Sequence, residues 1–171
     1  MKRSVYIASP LFNDAERAAN RAICTIAERS CDVFLPQRDG HLVTDLIEGG
    51  MTPQSAYAFV SARDIEAIDR CDALIINLDG RSVDEGAAFE LGFAHARGKI
   101  CVGYRTDVRV LLQWGLNPMI FAPLVTVVRS LSELEDWLES FVSSEKRAWQ
   151  SMSTRTQLPD IEPNSKGPNQ S

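Results

Sequence analysis

The chain predicts a single α/β domain: a five-stranded parallel sheet with helices on both faces. Two observations carry this expectation. Five short apolar runs alternate with stretches of helical periodicity, and strands that alternate with helices build a parallel sheet covered on both sides. The chain also has 171 residues at 44% hydrophobic content, enough to bury one full core.

Val5-Tyr6-Ile7-Ala8-Ser9 reads as the first strand, closed by Pro10. Residues 14–29 read as a helix, with Ala15, Ala18, Ala19, Ala22, Ile23 and Ile26 at helical spacing. Asp32-Val33-Phe34-Leu35 is the second strand, ended by Pro36. Residues 37–50 then form a long connection containing Gly40, Gly49 and Gly50, with room for one helical turn at 43–48. A connection of this length inside a compact domain is usually functional. Pro53 suits the first turn of a helix running to Arg70. The continuous apolar run Ala73-Leu74-Ile75-Ile76-Asn77 is a buried third strand, and residues 87–97 read as the helix after it. Ile100-Cys101-Val102-Gly103-Tyr104 is the fourth strand. A loop over 105–118 carries Arg105, Asp107, Arg109 and Asn117, before a fifth strand at 124–128 and an amphipathic helix at 131–144. The expected arrangement is Rossmann-like, in its flavodoxin-like form, over residues 1–149. After about Trp149 the chain turns to Ser, Asn and Pro with almost no apolar periodicity, so residues 150–171 read as a disordered tail.

Composition narrows the function. Net charge is -5 with scattered basic residues, so no electrostatic footprint favours nucleic acid or an anionic membrane. Cys24, Cys31, Cys71 and Cys101 form no CxxC pair, and only two histidines are present; a structural zinc site is not expected. The apolar stretch from Val5 to Phe12 is short and interrupted by Pro10, which fits neither a signal peptide nor a membrane span. The expectation is a soluble, cytoplasmic protein. No GxGxxG or GxxxxGK[ST] pattern occurs, so nicotinamide or ATP binding is unsupported.

The most informative stretch is Leu78-Asp79-Gly80-Arg81-Ser82-Val83-Asp84-Glu85-Gly86-Ala87-Ala88-Phe89-Glu90-Leu91-Gly92. It joins the third strand to the next helix, where open α/β sheets bind ligands. Glu90 has Gly86, Ala87, Phe93 and Ala94 three and four residues away. Small and apolar neighbours solvate a carboxylate poorly and leave space for a ligand, which suits a nucleophile or acid. Asp64, Asp84 and Glu90, with one phenol (Tyr6) and one amide (Asn117), make an acid-rich set, and paired carboxylates without metal ligands suit chemistry at an anomeric carbon.

Blander readings stand beside these. From spacing alone Asp64 reads as a solvated helical charge beside Arg63. Asp84 fits an N-cap, Glu85 is favoured by the helix dipole alone, and Tyr6 on a central strand fits the core. Asn117 before Pro118 is also ordinary turn chemistry, and His41 and His95 read as structural or exposed.

In the order Val5-Tyr6-Ile7-Ala8-Ser9-Pro10-Leu11-Phe12, Asp64, Asp79-Gly80-Arg81, Asp84 to Gly92, and Gly115-Leu116-Asn117-Pro118-Met119, the chain resembles the nucleoside 2-deoxyribosyltransferase family from Val5 to about Trp137. The resemblance implies that Glu90, six positions after Asp84, is the nucleophile that attacks C1′ of the deoxyribosyl ring. It implies that Asp64 protonates or bonds to the leaving base, that Asp84 binds the deoxyribose, and that Tyr6 orients the nucleophile. Asn117 then reaches the sugar 5′-hydroxyl of a neighbouring subunit, so a homo-oligomer is expected. Phe12 walls the base, Gly80 lies on the substrate side of its loop, and Gln37 is a candidate for a base-edge contact. Deoxyribonucleosides and free nucleobases are the implied partners, with no metal or organic cofactor.

Two other functions share this architecture. A 2-deoxynucleoside 5′-monophosphate N-glycosidase has the same acidic site, but those relatives carry serine where this chain has Asn117, which suits a neutral 5′-hydroxyl. A non-catalytic nucleotide sensor would have no need of Tyr6, Asp64, Asp84, Glu90 and Asn117 together.

Overall fold

A computed structural model of the protein describes residues 2–107 and 117–144. The expected tail at 150–171, the boundary at 149, and Arg109, Gly115 and Leu116 lie outside the described residues. Five strands form one sheet: β1 (Ser4–Ala8), β2 (Asp32–Phe34), β3 (Ala73–Asn77), β4 (Ile100–Tyr104) and β5 (Leu124–Val128). All pairings are parallel, in the order β2-β1-β3-β4-β5. The α/β class and the five parallel strands expected from the sequence are therefore what the protein has. That strand order reverses between β1 and β3, which makes their carboxyl ends the topological switch point of the flavodoxin-like sheet.

Alternation along the strands sorts the core into two layers. Val5, Ile7, Ala73, Ile75 and Val102 face one side, where they pack on Ile23 and Ala27 of α1 (Asp14–Glu28) and on Leu134, Leu138 and Phe141 of α7 (Leu131–Ser143). Tyr6, Ala8, Leu74 and Ile76 face the other, against Ala67 and Ile68 of α4 (Pro53–Arg70) and Ala87, Leu91 and Ala94 of α5 (Glu85–Ala96). The four cysteines are free and buried, in keeping with small core residues. Among the described residues no helix is long and apolar enough to cross a membrane.

Helix starts follow local chemistry. Asn13 and Glu16 exchange bonds as a capping box at α1, Thr52 caps α4 with Pro53 behind it, and Ser130 caps α7. Four details differ from the sequence reading. The long connection holds two short helices, α2 (Pro36–Asp39) and α3 (Val43–Glu48), where only the second was expected. Pro36, read as a strand stop, also opens α2, because its fixed φ suits a first helical turn. The helix after β3 starts at Glu85 rather than 87, since Asp84 caps it. A further turn, α6 (Pro118–Phe121), occupies the end of the expected loop. Gly103 of β4 is required by packing: a Cβ there would lie 2.7 Å from Leu78 Cδ1 and 3.0 Å from Leu124 Cδ1.

Candidate active site

The site is built at the carboxyl edge of β1 and β3. Tyr6 points to the α4/α5 side of the sheet and is fully buried. Its ring stacks on Phe34, its register partner in β2, with centroids 5.5 Å apart and planes 9° from parallel. The Tyr6 hydroxyl donates to Glu90 Oε1 at 2.6 Å. Glu90 lies in the second turn of α5, whose first turn is held at the sheet by buried Ala87. Strand and helix, distant in sequence, thus deliver a phenol and a carboxylate to one point.

Burial governs the electrostatics. Desolvation pushes the Glu90 carboxyl up to about 8, and the charges of Asp64 and Asp84 add to the rise, while the bond from Tyr6 opposes it. Burial, then the negative charges of Glu90 and Asp64, hold the Tyr6 phenol far above its ordinary range. Burial also lifts Asp64 to about 6, against the pull of His41. Asp64 is not the solvated partner of Arg63: that guanidinium pairs with Glu66 at 2.8 Å, and Asp64 is half-buried beside Ile65 and Ala67. Glu90 thus lies within electrostatic range of Tyr6, Asp64 and Asp84.

Asp84 has the N-cap geometry, with Oδ2 accepting from the Ala87 amide at 2.8 Å. Asn117 caps α6, its Oδ1 accepting from the Met119 amide at 2.9 Å; both bland readings are thus real contacts. No described hydrogen bond ties Asn117 to Glu90, Asp64 or Asp84 of the same chain. Phe12 is 76% exposed in the β1–α1 loop, anchored through its amide to Glu16 at 2.8 Å. Gly80 has φ +133, which favours glycine, at the bend between β3 and α5. Gln37 is tied inward: Nε2 donates to the Arg17 carbonyl at 3.1 Å and Oε1 accepts from Asn20 at 3.0 Å.

The sequence reading gave three residues no part in the site. Phe34 supplies the stack under Tyr6, and strand parity alone would have paired them. His41 lies within electrostatic range of Asp64, with its ring 5.2 Å from Phe59; no local pattern connects it to Asp64. Asp79 fastens two loops, accepting from Thr106 N at 2.7 Å, Thr106 Oγ1 at 2.6 Å and Asp107 N at 2.8 Å. Among the described residues no group of three or more His, Cys, Asp or Glu is placed to hold a metal ion.

A doubly wound α/β domain with a buried tyrosine–glutamate pair and two further carboxylates at its switch point belongs with proteins that act on small ligands at the sheet edge. The nucleoside 2-deoxyribosyltransferase family model matches residues 5–157. The chain belongs to that family. The match runs past residue 149. No curated protein matches in sequence. Among solved structures, the chain is similar to a 2-deoxyribosyltransferase from the psychrotolerant bacterium Bacillus psychrosaccharolyticus, at 21% identity over 85% of this chain and 94% of that one, with a TM-score of 0.65. It is also similar to a conserved protein from Enterococcus faecalis V583, at 24% identity over 82% and 99% of the two chains, with a TM-score of 0.63. At these identities the likeness establishes the fold.

Proposed function

We propose that the protein transfers a 2-deoxyribosyl group between nucleobases with retention. The observation that carries this reading is the 2.6 Å bond from a buried tyrosine to a desolvated glutamate at the switch point of a sheet of this family. With Oε1 held by Tyr6, ionised Glu90 presents Oε2 to C1′ of a deoxyribonucleoside. The Glu90 O–C1′ bond forms as the C1′–N bond breaks; the electron pair leaves with the base, which takes its proton from Asp64. A second base then attacks C1′, passes its N–H proton to Asp64, and releases Glu90 as carboxylate. Two inversions give net retention. A 2-deoxy sugar lacks the electron-withdrawing 2′-hydroxyl, so its oxocarbenium-like transition state is reached more easily beside an anionic oxygen.

Asp84 binds the deoxyribose while it caps α5: Oδ2 serves the helix and Oδ1 serves the sugar. Phe12 and Gly80 line the base and sugar approaches. Asn117 binds the 5′-hydroxyl in a second copy of the chain. Support for a homo-oligomer comes from large apolar side chains left exposed on two helices in contact, Phe89 of α5 at 64% and Met119 and Phe121 of α6. The setting proposed is the cytoplasm.

The test is incubation with deoxyinosine, with and without adenine, followed by chromatography. Deoxyadenosine should greatly exceed free deoxyribose when adenine is saturating. Dominant free sugar would make the reaction hydrolysis, and strong preference for a 5′-monophosphate donor would remove the 5′-hydroxyl role of Asn117. Quenched enzyme should carry the deoxyribosyl adduct on Glu90, and an adduct mapped to another residue ends the assignment.

A further inference from the structure

Among the described residues, the two buried polar side chains are both asparagines, Asn20 of α1 and Asn77 at the end of β3. They bond to each other: Asn77 Nδ2 donates to Asn20 Oδ1 at 3.1 Å. Asn77 shares the parity of Ala73 and Ile75, so it lies on the α1 side of the sheet, opposite Tyr6 and Glu90. It touches none of the reacting groups. Buried amides are retained only where their bonds are made, and these bonds run to the loops around the site. Asn20 Nδ2 donates to the Pro10 carbonyl at 2.7 Å, in the loop that carries Phe12, and to Gln37 Oε1 at 3.0 Å, in α2. Gln37 Nε2 closes back on the Arg17 carbonyl at 3.1 Å. On the other side, Asn77 Oδ1 accepts from the Asp79 amide at 3.1 Å, one residue before Gly80. The Asp79 carboxylate continues the chain of bonds to Thr106 and Asp107 after β4.

We infer that Asn20, Asn77 and Gln37 form an amide truss behind the sheet that sets the spacing of the loops after β1, β2, β3 and β4, making all three positioning residues for the reaction at Glu90. The inference rests on the deoxyribosyl-transfer reading for its catalytic consequence, though not for the truss itself. It also gives Gln37 a different task from a base-edge contact, since both ends of its amide are held inside the chain. Two of these loops are fixed within a residue or two of a group assigned to substrate: Pro10 stands two before Phe12, and Asp79 one before Gly80. Small misplacements of this kind are felt strongly in rate, about a hundredfold for 1 Å.

The test uses the full chain with Asn20→Leu/Asn77→Leu, which replaces the bonded pair by an apolar pair of similar size and takes their partners from the Pro10 carbonyl, Gln37 Oε1 and the Asp79 amide at some cost in stability, together with the single variant Gln37→Ala. Amide exchange without ligand, followed over residues 9–13 and 79–84, reads the truss directly. Exchange in both loops should quicken about tenfold or more in the double variant, beyond any change at residues 73–77 of the central strand. With two donors that the parent accepts, kcat should fall about tenfold or more, with KM changed less and Glu90's pH limb unmoved. Gln37→Ala should lower kcat by the same factor for both donors and quicken exchange at 9–13; it also serves as the deciding variant if the double one does not fold. Unchanged loop exchange, or loss of rate confined to one base, overturns the inference. A parent enzyme that turns over no deoxynucleoside sinks the reading of the site instead, and the exchange measurement still decides the truss.

Discussion

Glu90 must be ionised to attack and Asp64 protonated to assist departure, yet burial places Glu90 at about 8 and Asp64 at about 6. The competent form, with the proton on the more acidic of the two groups, is therefore a minority species at every pH, and the coupled pair produces a bell with limbs near 6 and 8. In kcat/KM against pH we expect a maximum between those limbs. Asp64→Asn should abolish the alkaline requirement for an acid and remove a negative neighbour of Glu90. Activity then rises through a single limb lying below 8, at a reduced plateau for donors whose base leaves only when protonated. Tyr6→Phe works in the opposite direction. It deletes the bond that favours the carboxylate, so the Glu90 limb should move to higher pH and the rate at pH 7 should fall about tenfold or more. Glu90→Ala and Glu90→Gln should each lose at least about a thousandfold, as nucleophile removal does.

At the scale of the element, α5 shows what was legible in the chain and what was not. Its position after β3, its acidic cap and the small residues around Glu90 are local features, and the sequence displayed all of them. The start at Glu85 came from the Asp84 cap, which the sequence offered as one of two readings. In the structure the cap is real, made by Oδ2 to the Ala87 amide. By contrast, α2 and α6 are single turns opened by Pro36 and Pro118; each is too short for periodicity to reveal, and the prolines read as a strand end and as part of a turn. Contacts between distant elements were least visible, because no spacing rule links His41 to Asp64, Asp79 to Thr106, or Asn20 to Asn77. An outward apolar residue on α5 was visible only once the inner face was known. Phe89→Glu should dissociate the proposed assembly in sedimentation velocity and lower activity with it, since Asn117 is then withdrawn from the neighbouring site. A monomeric parent chain with full activity would contradict this.

For the whole molecule, a carboxyl raised by burial is a site maintained against stability. Glu90 has an ordinary value of 4.5 and stands at about 8 when folded. The folded state thus favours the neutral form; its stabilising preference is complete below pH 4.5 and is lost as pH rises through 8. Glu90→Gln removes that loss. The variant should melt several degrees above the parent at pH 8.5 and no differently at pH 4, by calorimetry or circular dichroism. Equal midpoints at both values would mean that Glu90 is better solvated than its surroundings indicate.

The order β2-β1-β3-β4-β5 also has a consequence for how the molecule comes into being. β1 is the first of the five strands to be synthesised but ends inside the sheet, between β2 and β3, where Val5, Tyr6, Ile7 and Ala8 are fully buried. Its partner on one side, β3, pairs from Val5 with Ala73 and is synthesised much later. At roughly 5–20 residues per second of translation, this apolar strand waits for seconds with an open edge. Chains stalled before β3 should accumulate on a chaperone or aggregate, and those stalled after β4 should not.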